Sequence, residues 1–441
     1  MIVDGTKEGI SPPGLFPLWC IWDIFFWRLQ AEICPGLTPI SCVFEVSDWT
    51  QLVVSGRLVF HLQSRICMYL SQVESIGFRN LSGHLFGDAG VNILWGQNGH
   101  GKTSWLEVIA LLGNTKSFRT HQLSEAINFH ETAARAIAQV IHKSRTITLE
   151  IHLRGSQKQL LVNGKRVPVS EYLGILDVFV YCREELSIVR GEPSERRRFL
   201  DRGVLSLKPG YVQTLADYNR VLKQKNALLK SIEETVPPPV DIFEMLDVWN
   251  TQLVEYGTQI HKARTAYVER LNQTLERRFF GAEAMTVRYR SSLEGKGDLT
   301  NYPDLLADRL RVRREAELAA GHALIGPHRD DLDILTDGRE VARFGSAGQQ
   351  RSALLVLELA QLTMYHQEHD DFPVFLLDDI DAELDRDRIR TVLDFLQGKA
   401  QVFVTTSKAA LAEEYRQRAR LSQILSGTVV PQPEKAFNAE F

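Results

Sequence analysis

Cysteine is nearly missing from most of this chain. Of five cysteines in 441 residues, four (Cys20, Cys34, Cys42 and Cys67) precede Met68 and only Cys182 follows it. Everything after residue 67 therefore has no disulfide framework and no cysteine-based metal site, as expected of a protein in a reducing cytosol. Long hydrophobic runs are missing too. The most apolar patch, Gly14 to Trp27, is interrupted by Asp23 and is shorter than the roughly 20 residues a membrane span needs. With no basic region before it and no small-residue cleavage site behind it, it does not read as a signal peptide, and no membrane partner is expected. Charge of one sign is not in excess: 51 Lys and Arg against 55 Asp and Glu leave a net charge of −4. Overall charge thus does not mark a nucleic-acid binder, although a local basic face would suffice for one. There is no internal repeat and no basic stretch interleaved with aromatics, which disfavours a single-strand stacking groove.

What is present is ordinary globular material, 44% hydrophobic and 24% charged, long enough for two or three domains. Four of the seven tryptophans (Trp19, Trp22, Trp27 and Trp49) also precede Met68, so the texture changes there. Residues 1–67 read, in order of preference, as upstream translation from a misassigned start with Met68 the natural first residue, as a poorly ordered extension, or as a small accessory domain.

Gly96, Gln97, Asn98, Gly99, His100, Gly101, Lys102 and Thr103 fit the phosphate-cradling pattern G-x-x-x-x-G-K-[ST] without a mismatch. Val91, Ile93, Leu94 and Trp95 lead in as a buried strand. Trp105, Leu106, Val108, Ile109 and Leu112 leave at helical spacing. Glycines let the backbone turn tightly enough to aim N–H groups at phosphate oxygens, and the helix N-terminus adds a favourable dipole. Lys102 would neutralise the β- and γ-phosphates and Thr103 would hold Mg²⁺. ATP or GTP is the first ligand to consider.

Farther along, Gln139–Val140, Thr146–Leu153 and Asp177–Tyr181 read as strands, and Asn163-Gly164 as a hairpin turn. From about residue 205 the texture turns helical. One helix runs from Tyr211 to Glu234. A second starts at Asp241, after a Thr-Val-Pro-Pro-Pro-Val break, with Asp241 and Glu244 as a capping box. Leu246, Trp249, Leu253, Tyr256, Ile260, Ala263, Tyr267, Leu271 and Leu275 keep a helical period, giving an arm of about 60 Å. Too few heptads are available for a long coiled coil. Pro373 to Leu377 is an apolar strand ending in Asp378-Asp379. Asp378 is placed to bind Mg²⁺ opposite Thr103, and Asp379 to orient an attacking water. The strand Gln401 to Val404 ends in Thr405-Thr406-Ser407, hydroxyls that either sense a γ-phosphate or cap the next helix. Ser346-Ala347-Gly348-Gln349 opens the apolar helix Ala353 to Met364 and offers another anion site.

Ser346-Ala347-Gly348-Gln349 resembles the signature motif of ABC-type ATPase heads, and Ala382-Glu383-Leu384-Asp385 resembles their D-loop. Four further strings resemble the RecF family: Gly77-Phe78-Arg79-Asn80, Ser117-Phe118-Arg119-Thr120, Gly191 to Asp201 (GEPSERRRFLD) and Gly326 to Leu332 (GPHRDDL). The resemblance covers Met68 to about Ser407, which supports Met68 as the start. It implies an α/β fold, an ABC-type P-loop ATPase head with an inserted helical arm (lobe II). The segments would be a 1–67 extension, a first head part 68–205, an arm 206–320, a second head part 321–425 and a flexible tail 426–441. The implied catalytic residues are Lys102, Asp378 and Asp379. Arg79 would join the loop in binding nucleotide, and Ser346, Ala347, Gly348, Gln349 and Asp385 would act in trans on a second subunit's ATP. Thr405 or Thr406 would be the switch, where transporter heads use His. Asp379 stands where transporter heads carry Glu, so slow hydrolysis is expected. No Q-loop glutamine is assigned.

The function so implied is that of a cytoplasmic, nucleoid-associated recombination mediator. It would dimerise on ATP, bind duplex, gapped or junction DNA, and work with RecR and RecO to load a RecA-type recombinase. Candidate DNA contacts are Arg196, Arg197, Arg198 and Arg202, with Lys262, Arg264, Arg277 and Arg278 on the arm. For each of these a solvated helix face is the plainer reading. Another ABC-type ATPase is the alternative: a transporter subunit would need a coupling surface, and a chromosome-associated ATPase would need hundreds of coiled-coil residues. A small-molecule P-loop kinase would need no Ser346-Ala347-Gly348-Gln349 string.

Overall fold

The computed structural model describes residues 68–143, 145–233, 241–276 and 284–430. The readings made for residues 1–67, for the triple-proline break, for Arg277 and Arg278 and for the tail beyond residue 430 lie outside the described residues.

The strands in chain order are β1 (Met68–Ile76), β2 (Gly83–Phe86), β3 (Val91–Trp95), β4 (Ala133–His142), β5 (Arg145–Arg154), β6 (Gln157–Val162), β7 (Lys165–Arg166), β8 (Val178–Tyr181), β9 (Met285–Arg290), β10 (Asp331–Thr336), β11 (Arg339–Glu340), β12 (Val374–Leu377), β13 (Val402–Thr406), β14 (Ala419–Leu425) and β15 (Thr428–Val429). The longer helices are α1 (Lys102–Asn114), α2 (Pro193–Leu207), α3 (Tyr211–Glu233), α4 (Ile242–Leu275), α5 (Tyr302–Val312), α6 (Ala347–His369) and α7 (Arg386–Leu396).

These strands form three sheets. One is antiparallel, ordered β2-β1-β4-β5-β6-β7, one is β11-β10-β9, and the central one runs β15-β14-β3-β13-β12-β8. In the central sheet β14, β3, β13, β12 and β8 are parallel. β8, β12 and β13 are buried along their whole length, as a covered parallel sheet requires. Phe375, Leu377, Val402, Val404, Phe179 and Tyr181 point into one core with α6. Their alternates Val374, Leu376, Phe403, Val178 and Val180 point into another with α1 and the antiparallel sheet. Helix α1 lies between the two sheets, and Trp105, Leu106 and Val108 through Leu112 are at most 1% exposed. An aromatic the size of Trp105 contributes a few kcal/mol when fully buried, at about 25 cal/mol per Å².

The Asn163-Gly164 turn forms as the sequence requires. Both residues take positive φ, 50° and 76°, and join β6 to β7. The arm helices also form where periodicity puts them, with α4 at 34 residues, about 50 Å. The capping box does not: the Asp241 side chain makes no cap bond, and its backbone sits at φ −90°, ψ 6° instead of the extended geometry a cap needs. The boundary set at residue 320 falls between two strands of one sheet, since β9 pairs with β10 from Asp331–Arg290 to Thr336–Met285. Residues 426–430 are not loose. Ser426 and Gly427 form the turn of a hairpin between β14 and β15.

Candidate nucleotide-binding site

Parallel pairing sets three strand ends side by side. Leu94 and Trp95 of β3 stand opposite Thr405 and Thr406 of β13, and Leu377 of β12 stands opposite both Val404 and Tyr181. The glycine loop, Asp378-Asp379 and the segment after β13 therefore emerge at one edge of the sheet. The carboxyl edge of an open parallel sheet is where such folds bind ligands.

The loop fits only with glycine at its base. Gly96 has φ 154°, and a Cβ there would collide with the Ile424 carbonyl of β14. The Lys102 side chain, 7% exposed, folds across the loop and donates to Gly96 O at 2.8 Å and Gln97 O at 2.9 Å. Burial lowers the Lys102 pKa, and the charges of Asp379, Asp378 and Asp381 oppose that. The loop is braced from behind by the last hairpin: Gly427 N–H donates to His100 O at 2.8 Å, and Trp105 Nε1 donates to Gly427 O at 3.1 Å. Gly427 has φ 86°, and a Cβ there would overlap Asn80 O.

Asp378, 7% exposed, accepts from Thr103 Oγ1 at 2.9 Å and from Thr405 Oγ1 at 2.7 Å on the same oxygen, Oδ1. Burial raises its pKa against those two hydrogen bonds, and Glu184 and Asp379 raise it further. Asp379 adopts left-handed backbone, φ 48°, ψ 45°, a strained geometry that concentrates at functional turns. Its N–H donates to Thr405 Oγ1 at 2.7 Å. Burial and the neighbouring Asp381 raise the Asp379 pKa, while Lys102 opposes.

Here the switch expectation is corrected. Thr405 and Thr406 are 1% and 0% exposed, and their hydroxyls are committed to the fold. Thr405 ties the two aspartates together, and Thr406 Oγ1 accepts from Lys408 N–H at 3.0 Å. They point to opposite faces of β13, and both are buried because both faces of this sheet are covered. The sequence shows two hydroxyls at a strand end but not which way each faces.

Ser346, Ala347, Gly348 and Gln349 are exposed at the start of α6. Ser346 forms a full capping box with Gln349: Gln349 N–H donates to Ser346 Oγ at 3.2 Å and Ser346 N–H to Gln349 Oε1 at 2.9 Å. Asp385 is also exposed and caps α7 through Arg388 N–H at 3.0 Å. Arg351, one turn beyond Ser346, pairs at 2.8 Å with the buried Glu383, so the two exposed caps are strapped to each other. The Arg79 guanidinium is engaged by helix α1 and the segment before β4. It donates to both oxygens of the buried Glu107, at 3.0 and 2.9 Å, and to Glu125 O at 2.9 Å.

Most of the basic candidates are drawn inside. Arg196 forks onto both oxygens of Asp331 at 2.7 and 3.0 Å, and Arg197 donates to Asp330 O at 2.8 Å. Arg202 bridges Glu185 at 3.1 Å and the fully buried Glu358 at 2.6 Å. Arg264, 3% exposed, forks onto Asp201 at 2.9 Å and donates to Pro327 O at 2.8 Å. Arg196, Arg197 and Arg264 serve a joint between the strings at Gly191–Asp201 and Gly326–Leu332, Arg202 ties α2 to α6, and none of the four presents a cationic face. Arg198, which pairs with Glu195, and Lys262 keep exposed side chains.

The donor set at the strand ends suits a divalent cation shared with phosphates. No group of three or more His, Cys, Asp or Glu residues able to hold a metal occurs among the described residues. Mg²⁺ keeps several waters and needs only one or two protein oxygens beside phosphate, and Thr103 Oγ1 and Asp378 Oδ1 supply two hard oxygens. No helix among the described residues is long and apolar enough to cross a membrane.

The profile of the RecF/RecN/SMC N terminal domain matches residues 69–429. The DNA replication and repair protein RecF of Shouchella clausii (strain KSM-K16) is 34% identical over 376 residues, covering 82% of this chain and 99% of its own. Its namesake in Geotalea uraniireducens (strain Rf4) is 36% identical over 357 residues, covering 77% and 93%. Among solved structures, the recombination mediator protein RecF-ATP in the RecFOR pathway superposes with a TM-score of 0.76 at 30% identity, over 85% of this chain and 100% of that one. The RecF-ATPrS form of that mediator gives 0.73 at 31% identity, over 82% and 97%.

Proposed function

The chain belongs to the RecF family of DNA replication and repair proteins, with the ABC-type ATPase head fold, and on that premise we infer that it is an ATP-gated DNA clamp acting in recombinational gap repair. ATP and Mg²⁺ are its ligands. Lys102 and the loop N–H groups take the phosphates, Thr103 and Asp378 take the metal, and Asp379 orients the attacking water. The metal supplies charge neutralisation at the phosphates.

One observation carries this reading. Lys102, Thr103, Asp378 and Asp379 converge at one sheet edge, whereas Ser346, Gly348 and Asp385 are held in finished helix caps that face outward. Such a site is half built and is completed by a second copy. A γ-phosphate bound from both sides then favours the closed dimer, because only that state binds it twice. Asp379 is one methylene shorter than the glutamate of transporter heads, so hydrolysis is slow, below about 10 per second, and serves to open the dimer.

DNA is held by its backbone, duplex or gapped, through Arg198, Lys262 and whatever further cations the closed dimer aligns. RecR, RecO and a RecA-type recombinase are the proposed partners, in the cytoplasm at the nucleoid.

Gel filtration of the full chain with and without ATP and gapped duplex tests the reading. Wild type is expected to elute as a dimer only with ATP. Ser346→Arg is expected to remain monomeric while still binding ATP, because the change blocks the outward face alone. A Ser346→Arg dimer with ATP would refute the shared site.

A further inference from the structure

We propose that Lys408 is the cation that reads the γ-phosphate, held in the resting molecule by Asp381 and drawn away when a nucleoside triphosphate binds. This rests on the nucleotide reading above and deepens it.

At the end of β13, Thr405 and Thr406 are buried and hydrogen-bonded, and the exposed Ser407 turns its hydroxyl to Asp381 Oδ2 at 3.4 Å. Lys408, two residues beyond β13, carries the next positive charge. Its side chain is 65% exposed, and its ammonium lies 3.6 Å from Asp381 Oδ2 and 3.4 Å from Asp381 O. Both distances exceed the roughly 2.7–2.9 Å of a direct charge-assisted bond. A lysine is a point charge on a flexible stem, so this one is loosely parked.

Its parking place is itself unsatisfied. The Asp381 side chain is 6% exposed. Its Oδ2 receives only a 3.4 Å contact from Ser407 Oγ, and its Oδ1 has no hydrogen-bond partner among the described residues. A carboxylate buried with so few donors costs free energy.

Location makes the pair functional. Asp381 stands two residues after Asp379, close enough for its charge to act on both Asp379 and Lys102, and Lys408 acts on Asp379 as well. A terminal phosphate cradled by Lys102 would carry more negative charge than Asp381 and would compete for the same ammonium. ADP has no such group. Lys408 would thus take the place that Thr405 and Thr406 cannot fill.

The test is equilibrium titration of the full chain with fluorescent ATP and ADP analogues. Lys408→Met is expected to weaken ATP about 10- to 100-fold, the loss of one hydrogen bond between charged groups, and to leave ADP within about twofold. Lys408→Arg should recover most of the ATP affinity, and Asp381→Asn, by releasing Lys408, should tighten ATP selectively. Equal losses for ATP and ADP in Lys408→Met, or an unchanged ATP-to-ADP ratio, would overturn the assignment of Lys408 alone. Wild type that binds neither nucleotide would overturn the underlying reading and this inference with it.

Discussion

Asp378 shows how closely single atoms are allotted in this site. One of its oxygens accepts two hydroxyls, from Thr103 and Thr405, and burial still holds the carboxyl above its ordinary pKa. The fold therefore disfavours the ionised form. The penalty is absent below the unfolded-state pKa of about 3.9, grows as pH rises through it, and is complete above the raised folded value. Asp378→Asn should accordingly melt roughly 1–3 °C higher than wild type at pH 7.5, with the gap closing as pH falls toward about 4, while ATP hydrolysis is lost. Thermal unfolding across that range checks the sign; a gap that widens toward acid would contradict it. That the glycine loop and the two aspartates each follow a buried strand was legible, because a strand-loop-helix motif and an apolar run closed by carboxylates are both local patterns. The role of Thr405 was not, because a bond from β13 to β12 depends on which face of the strand a hydroxyl occupies.

The elements around the site are joined by ion pairs that the sequence disguised as a basic face. Arg264 lies at helical spacing between Ile260 and Tyr267 on the buried side of α4, so the period that located the helix also marked this arginine as inward-facing. Its removal leaves Asp201 and Asp330 without their cation, and Arg264→Met is expected to cost about 3–5 kcal/mol, read as a fall in denaturation midpoint. Lys262→Ala and Arg198→Ala behave in the opposite way. Each should change stability by less than about 0.5 kcal/mol and lower the salt-dependence slope of DNA binding by about one. Stability loss without a change in DNA slope would shift Lys262 or Arg198 into the same structural class as Arg264. The β14–β15 hairpin escaped the sequence reading because its Ser426-Gly427 turn is a weak signal after a strand that alternates polar and apolar residues only partly.

At the scale of the molecule, the central sheet is assembled from distant stretches. β3 comes from residues 91–95, β8 from 178–181, and β12, β13 and β14 from beyond residue 373. Local patterns identify each strand, but their order around β3 reflects packing across the whole chain, and so the α/β class was readable where the strand neighbours were not. A topology this rich in non-local pairs folds slowly. It also gives the brace on the glycine loop a consequence in time. Trp105 and Gly427 are 322 residues apart, so during synthesis at about 5–20 residues per second the loop waits roughly 15–65 s for the hairpin that supports it. A chain stopped before Ala419 should therefore fail to retain nucleotide on a filter although Gly96 to Thr103 are intact; retention at wild-type levels would show that the brace is dispensable. The loop gains its brace only after residue 427 has been made, so nucleotide retention would report that the β14–β15 hairpin has closed behind it.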